Sequence, residues 1–275
     1  MISVIICSRT GYIPKGLSQN ISDTVGCDFE IVVMDNSQND YSIFSAYNEG
    51  VRRSMGNILC FCHEDILFRS DNWGELVQDL LADTTIGAIG VIGTHFLPKA
   101  PMYWWCSPYI SQYSINTDNG ASTLNDTRDF FRENIADVAA IDGVCFFAPK
   151  AIFSTVRFDD RTFSGFHAYD MDFSMQVQKA GKRVCVTDVL TIEHFWSEDS
   201  FSNPGYLAKL DAGMELFYNK WKDSLPIVRG LDEPQIVIDR LNNLCIQAYD
   251  AKRVRQSKAY KLGRLLLKPI KVFKK

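Results

Sequence analysis

The chain has 275 residues, 46% of them apolar and 23% charged, which is ordinary globular usage and enough length for one large domain or two small ones. No apolar run approaches the roughly 20 residues that a membrane-crossing helix needs. The opening "MISVIICSR" lacks the basic region and long apolar stretch of a secretory signal, so a cytoplasmic location is expected. Charge is unevenly placed: residues 251–275 carry ten Lys or Arg and no acid, a +10 tail on a body of −14 (19 basic against 33 acidic residues). That asymmetry suggests an anionic surface as partner for the tail and argues against nucleic acid as partner for the body.

In chain order, "SVIICS" (3–8) and "EIVVMD" (30–35) are β-rich apolar runs separated by enough residues for a loop and a helix, a β-α-β opening. "YSIFSAYNEGVRRSMG" (41–56) reads as a helix closing at Gly56, followed by the strand "NILCFC". In "NWGELVQDLLAD" the residues Trp73, Leu76, Val77, Leu80 and Leu81 recur at helical spacing, and "IGAIGVIG" reads as another strand. Strands alternating with helices predict an α/β chain with a mostly parallel sheet covered on both faces. After Thr94 the alternation lapses. Residues 97–135, rich in Trp, Tyr, Pro, Ser, Asn and Asp, are expected as irregular structure over the carboxyl ends of the sheet.

"AAIDGVCFFAPKAIF" restores a strand and a short helix, "FSGFHAYDMDFSMQVQKAG" gives a loop and a helix, and "RVCVTDVLTIEHF" a late strand or two. Helices at about 205–222 and 233–265 finish the chain, after a composition break near Pro226–Gly230. Eight cysteines without Cys-x-x-Cys spacing read as reduced core residues.

His63, Glu64 and Asp65 follow directly on an apolar run. Side chains two apart on a strand face the same way, so His63 and Asp65 can converge on one ligand while Glu64 points elsewhere. The spacing suits a metal or a sugar nucleotide, and ligands of open α/β sheets sit at the carboxyl ends of strands, where Asp35 also lies. A hydrogen-bonded histidine at a strand end accounts for His63 as well.

The segments "SVIICSR", "EIVVMDNS", "YNEGVRRSMGNILCFCHED", "DGVCFFAPKAIF" and "FHAYDMDFSMQVQKAGKRV" resemble, in that order, the motifs of family 2 glycosyltransferases of the GT-A fold. The resemblance covers about residues 1–200 and implies a GT-A catalytic domain over 1–225, with 226–275 a C-terminal helical extension bearing the basic tail. It places "HED" at the family's D-x-D motif. Asp65 then matches the aspartate that binds the divalent metal, and His63 stands where the first aspartate usually is, able to contact metal, phosphate or ribose. Mg²⁺ prefers oxygen and Mn²⁺ accepts nitrogen more readily, so the implied ion is Mn²⁺ or Mg²⁺, Mn²⁺ first.

By the same resemblance Asp35 recognises the nucleotide base, with the backbone of Ser8, Arg9 and Thr10 on its other side; a turn-forming "DNS" explains Asp35 equally. Asn48 matches a family asparagine. Asp142 and Gly143 match a segment lining the donor sugar, where a tight turn at a strand start is the plain alternative, and His194 matches an additional metal or phosphate ligand, where the alternative is a core histidine among Ile192, Phe195 and Trp196. Asp170 matches the acid of the family's Glu-Asp pair, with Tyr169 in place of the glutamate, and is the implied catalytic base, kept ionised by a helix N-terminus. A plain N-cap, filled by Asp170 or Asp172, is the bland alternative. His167 lies near that base in sequence, and the rings of "MYWWCSPY" (102–109) either stack on an acceptor or lie buried under a loop.

The implied reaction is transfer of a sugar, with inversion, from a nucleoside-diphosphate-sugar, UDP-sugar first, to a glycan or lipid-linked acceptor in surface polysaccharide synthesis. The tail, with Leu262, Leu265, Leu266, Ile270 and Phe273 among its cations, has the composition of a segment lying on the anionic inner face of a membrane. A solvated terminal helix has it too. Two other readings stand beside this one: a sugar-nucleotide pyrophosphorylase, disfavoured by the absence of a glycine-rich basic loop, and a catalytically silent carbohydrate-binding homologue.

Overall fold

A computed structural model describes residues 1–195 and 203–258. The first half runs β1 (Ile2–Ser8), α1 (Lys15–Thr24), β2 (Phe29–Asp35), α2 (Ile43–Arg53), β3 (Ile58–Cys62), β4 (Ile66–Phe68), α3 (Trp73–Leu80), β5 (Ile86–Gly90), β6 (Ile92–Thr94) and β7 (Phe96–Leu97). Then come β8 (Ile110–Asp118), β9 (Ala121–Asp126), β10 (Ile135–Asp137), β11 (Ala140–Ile141) and β12 (Cys145–Pro149). The chain continues with α4 (Tyr169–Lys179), β13 (Arg183–Thr187), β14 (Ile192–Phe195), α5 (Pro204–Trp221), β15 (Ile227–Val228) and α6 (Gln235–Gln256).

Seven strands form the main sheet in the order β10-β13-β5-β12-β3-β1-β2. β1 pairs in parallel with β2 and β3, and β13 with β5. β12 runs antiparallel between β3 and β5, and β10 antiparallel to β13, so the sheet is mixed rather than mostly parallel. Its inner strands β1, β3 and β5 are apolar and buried along almost their whole length, as strands covered on both faces must be.

Phe146 and Phe147, adjacent on β12, point to opposite faces and mark the two helical layers. Phe146 stacks on Phe61 at 4.9 Å and reaches Phe173 of α4, and Tyr47 of α2 meets Phe61 on that side. On the other face Phe147 meets Trp73 of α3, whose indole N–H donates to Thr24 at the end of α1. Each such ring taken from water stabilises the fold by roughly 1.5–3 kcal/mol. The start of α2 is set by Ser42 and Ser45, whose hydroxyls each accept from the other's backbone N–H.

"IGAIGVIG" is two strands, not one: the chain leaves the main sheet at Val91, and β6 enters a second sheet ordered β11-β6-β8-β14-β4, with β9 on β8. Residues 97–135 depart from the expected irregular structure. β8 and β9 form a hairpin closed by Asn119 and Gly120, whose φ values of 49° and 80° are those of a two-residue type I′ turn. The composition break at 226–230 is also ordered: β15 pairs with β7, Arg229 N–H donates to the His95 carbonyl, and Lys99 N–H donates to Asn242 of α6. The residues of the expected membrane-surface segment from 259 onward lie outside the described residues, as does Trp196. Among the described residues no helix is long and apolar enough to cross a membrane.

Candidate active site

The triplet His63-Glu64-Asp65 is the joint between the two sheets, since β3 ends at Cys62 and β4 begins at Ile66. Its backbone is fixed at both ends: His63 N–H donates to the Val144 carbonyl (3.0 Å), and the Asp65 carbonyl accepts from Phe195 N–H (2.9 Å). That second bond extends the β4–β14 ladder, in which His194 registers with Ile66, and so brings His194 beside Asp65. Glu64 turns the other way and pairs with Arg9, just past the end of β1 (Nε to Oε1, 2.8 Å).

His63 Nδ1 lies 3.7 Å and His194 Nε2 3.6 Å from the same oxygen, Asp65 Oδ1. One ligand atom from each of the three residues falls within 4.8 Å of the others. Both distances are too long for hydrogen bonds, and Asp65 Oδ1 is a buried oxygen without a hydrogen-bond partner. Two imidazole nitrogens around an orphaned carboxylate oxygen fit a divalent transition-metal cation, among them Mn²⁺, which is hard but accepts nitrogen more readily than Mg²⁺. Burial pushes the Asp65 carboxyl up, but the two imidazoles together outweigh it and hold the group below its ordinary range. Burial likewise lowers His63, against the pull of Asp65, and so favours the neutral, ligating imidazole.

The other ring nitrogen of His63 identifies its tautomer. Tyr169 Oη donates to the Gly143 carbonyl (3.0 Å), which can only accept, and it lies 3.0 Å from His63 Nε2. With its one proton committed to Gly143, the Tyr169 hydroxyl accepts from His63, which therefore carries its proton on Nε2 and leaves the Nδ1 lone pair facing Asp65. Gly143 is required here by close approach: a Cβ at this position would stand 2.0 Å from Tyr169 Oη.

Asp170 follows in the first turn of α4. Its Oδ2 accepts from Gly143 N–H (3.0 Å) and its Oδ1 from Met171 N–H (2.8 Å). Burial, joined by the charge of Asp142, pushes its pKa up to about 7 against those two amides. The helix N-terminus thus does not keep this carboxylate strongly ionised, as the sequence led us to expect, because desolvation wins. Nor does either acid cap the helix: Ala168 holds the N-cap position without a side-chain bond. Asp172 faces α5, accepting from Trp221 Nε1 (2.7 Å) and pairing with Lys220. Asp142, raised chiefly by burial, accepts from Val144 N–H and completes the group around Gly143.

Ser8 and Asp35 end β1 and β2 in register. Ser8 Oγ donates to the Tyr12 carbonyl (2.8 Å) and so braces the loop that carries Arg9 and Thr10. Asp35 is exposed, accepts from Ser37 N–H in the turn expected of "DNS", and lies so close to Gly11 (φ +81°) that a Cβ there would meet its carboxylate at 2.9 Å. The loop and Asp35 thus face each other beyond the ends of β1 and β2.

The structure does not join Asn48 to this group: its amide holds the backbone of Phe158 and the side chain of Asp160. His167 packs on α5, its ring 5.1 Å from that of Tyr206. In the aromatic run Trp104 is buried, while Tyr103 stacks on Trp105 and hydrogen-bonds Asp211 of α5. The role of Tyr169 was missed from sequence. Its signal was present in the two departures from the family pattern, His63 and Tyr169, which turn out to be hydrogen-bonded to one another.

A model of the glycosyltransferase-like family matches residues 4–204. The streptomycin biosynthesis protein StrF of Streptomyces griseus is 26% identical over 161 residues, 57% of this chain and 54% of StrF. Among solved structures, GalNAc-T7 with UDP, GalNAc and Mn²⁺ aligns over 96% of this chain and 57% of its own, with a TM-score of 0.50 and 12% identity. S. aureus TarS (1–349) aligns over 70% and 60%, with a TM-score of 0.47 and 11% identity. The chain thus spans little more than half the length of StrF and of GalNAc-T7. With a family match across most of its length and a mixed sheet flanked by helices, the chain belongs to the glycosyltransferase-like family and has the GT-A fold.

Proposed function

We propose that this chain is a metal-dependent inverting glycosyltransferase that uses a nucleoside-diphosphate-sugar, UDP-sugar first, as donor. The observation that carries the reading is the convergence of His63, Asp65 and His194 on one orphaned oxygen, joined through Tyr169 to the neighbouring Asp170. Family membership supports it, and so does the UDP and Mn²⁺ named with GalNAc-T7.

His63, Asp65 and His194 would hold Mn²⁺ or Mg²⁺, which supplies positive charge for the diphosphate leaving group. Asp35 and the 8–10 loop hold the base. Arg9, anchored by Glu64, adds a largely exposed guanidinium beside the same crevice. Asp142 and Gly143 line the donor sugar. Asp170 takes the proton of the acceptor hydroxyl as its oxygen attacks the anomeric carbon; a carboxylate with pKa near 7 is well matched to that role. One protein base acting on the face opposite the leaving group gives inversion, and no second carboxylic acid is needed for departure of a diphosphate.

The proposed setting is surface polysaccharide assembly at the cytoplasmic membrane face, the basic stretch 251–275 contacting anionic lipid. A donor screen by thermal shift, with and without Mn²⁺, tests the binding, because a ligand selective for the folded state raises its stability. Product analysis tests the chemistry. Nucleoside diphosphate release is expected, pyrophosphate release would establish the pyrophosphorylase instead, and neither product with any donor would establish a silent binding homologue.

A further inference from the structure

We infer that Glu64, the middle residue of the joint between the two sheets, is a positioning residue that holds the Arg9 guanidinium against the diphosphate of the donor. The inference deepens the reading above and rests on it: the cation stands at one end of the donor and Asp35 at the other.

The strand order places Arg9 between those ends. β1 lies between β3 and β2. β2 ends at Asp35, on the base side, and β3 runs into the metal-ligand group at His63. Arg9 follows directly on Ser8, the last residue of the strand between them. In a nucleoside diphosphate the diphosphate is the part that joins the nucleoside to the metal-bound end. Arg9 is also within electrostatic reach of the metal side. Its pKa is raised first by the bond to Glu64 and in smaller part by the charge of Asp65. Burial chiefly lowers His63, and the Arg9 charge adds to that in smaller part.

The form of the ion pair leaves the cation available. Arg52, Arg69 and Arg128 each grip a carboxylate with both Nε and Nη2. Arg9 uses Nε alone, 2.8 Å from Glu64 Oε1, and its two Nη groups make no hydrogen bond among the described residues. Their N–H groups form the planar fork that fits phosphoryl oxygens. They are reachable from solvent, since the Arg9 side chain is 81% exposed, whereas Glu64 is only 14% exposed. The main chain is pinned on either side of Glu64, by His63 N–H to Val144 and by the Asp65 carbonyl to Phe195 N–H. The anchor is therefore rigid and the group it holds is open.

Charge alone does not explain Glu64. A carboxylate beside an anion site opposes binding, and an ion pair this exposed contributes little to stability. It has a use where the guanidinium must be held still, because a free Arg side chain loses rotamer entropy when it closes on phosphate.

The test compares UDP, UMP and inorganic pyrophosphate by calorimetry with Mn²⁺ present, on the full chain, on Glu64→Gln, on Arg9→Gln and on the double variant. Arg9→Gln is expected to weaken UDP and pyrophosphate about tenfold and UMP by no more than about threefold, since the guanidinium serves the diphosphate. Glu64→Gln is expected to weaken UDP about three- to tenfold when Arg9 is present and to have no effect once Arg9 is replaced. Tighter UDP binding in Glu64→Gln, the result for a carboxylate that acts by charge alone, overturns the positioning role, as does an equal loss in both backgrounds. Equal losses of UMP and UDP in Arg9→Gln overturn the diphosphate contact. Melting temperatures should stay within about two degrees of wild type, as for any exposed pair. A larger fall in both single variants overturns the inference by showing that the pair holds the fold. If UDP fails to bind the wild type while pyrophosphate binds and follows this pattern, the donor reading fails and the positioning role stands. If neither binds, both fail.

Discussion

The Tyr169 hydroxyl accepts the Nε2 proton of His63 across 3.0 Å, because its own proton is committed to the Gly143 carbonyl. Partners of this kind orient a ligating imidazole, and their loss typically lowers metal affinity 10–100-fold. Tyr169→Phe is therefore expected to weaken Mn²⁺ binding by about that factor, read by paramagnetic titration. The ¹⁵N shifts of His63 in the metal-free protein should move from a single Nε2–H tautomer toward a mixture. Unchanged shifts would remove the tautomer argument.

Asp170→Asn should leave Mn²⁺ and UDP binding intact while turnover falls about 10²–10⁴-fold, the usual worth of a positioned base. In the wild type, activity should rise with pH through about 7 as Asp170 ionises. The sign for stability is opposite. A carboxyl whose folded pKa is raised from 3.8 to about 7 contributes a penalty that is absent below about pH 4 and grows as pH climbs toward 7. The decline in melting temperature between pH 5 and 8 should flatten in Asp170→Asn.

Chelation should abolish any rise in melting temperature produced by UDP with Mn²⁺. Asp65→Asn should do the same even with excess metal, since it replaces the central oxygen of the group by a neutral amide. A full Mn²⁺-dependent shift in Asp65→Asn would exclude this residue as a ligand.

Gly143→Ala should destabilise the chain by about 1–3 kcal/mol through overpacking, measured by denaturant unfolding. Tyr169→Phe should not rescue it, because the added Cβ would also stand 2.3 Å from Cζ of that ring. Trimming the ring away with Tyr169→Ala in the Gly143→Ala background should relieve the clash.

Much of this architecture was legible because it is written in local pattern. The buried strands "SVIICS" and "NILCFC" and the helix at "NWGELVQDLLAD" declare themselves by apolar run and periodicity. His63, Asp65, Asp142, Asp170 and His194 were likewise nameable from motif order. What escaped was set by non-local pairing. The antiparallel entry of β12 depends on which strands neighbour it. The hairpin was hidden because its polar faces carry no hydrophobic alternation, although Asn119-Gly120 is a strong local turn signal. Asn48 has the residue type of the motif, but its amide is held by a loop more than a hundred residues away. The pKa of Asp170 follows from burial, which sequence position beside a helix start does not convey.

The bond from Phe195 N–H to the Asp65 carbonyl, continuing the β4–β14 ladder, makes Asp65 and His194, two of the proposed cation ligands, members of one stretch of main-chain scaffolding. The entropic demand of bringing together residues this distant in the chain is met during folding, not on arrival of the ion. Such a socket should fill quickly and with little rearrangement. Substitutions that loosen strand pairing, even where no side chain meets the ion, should reach its affinity through the geometry of the rim.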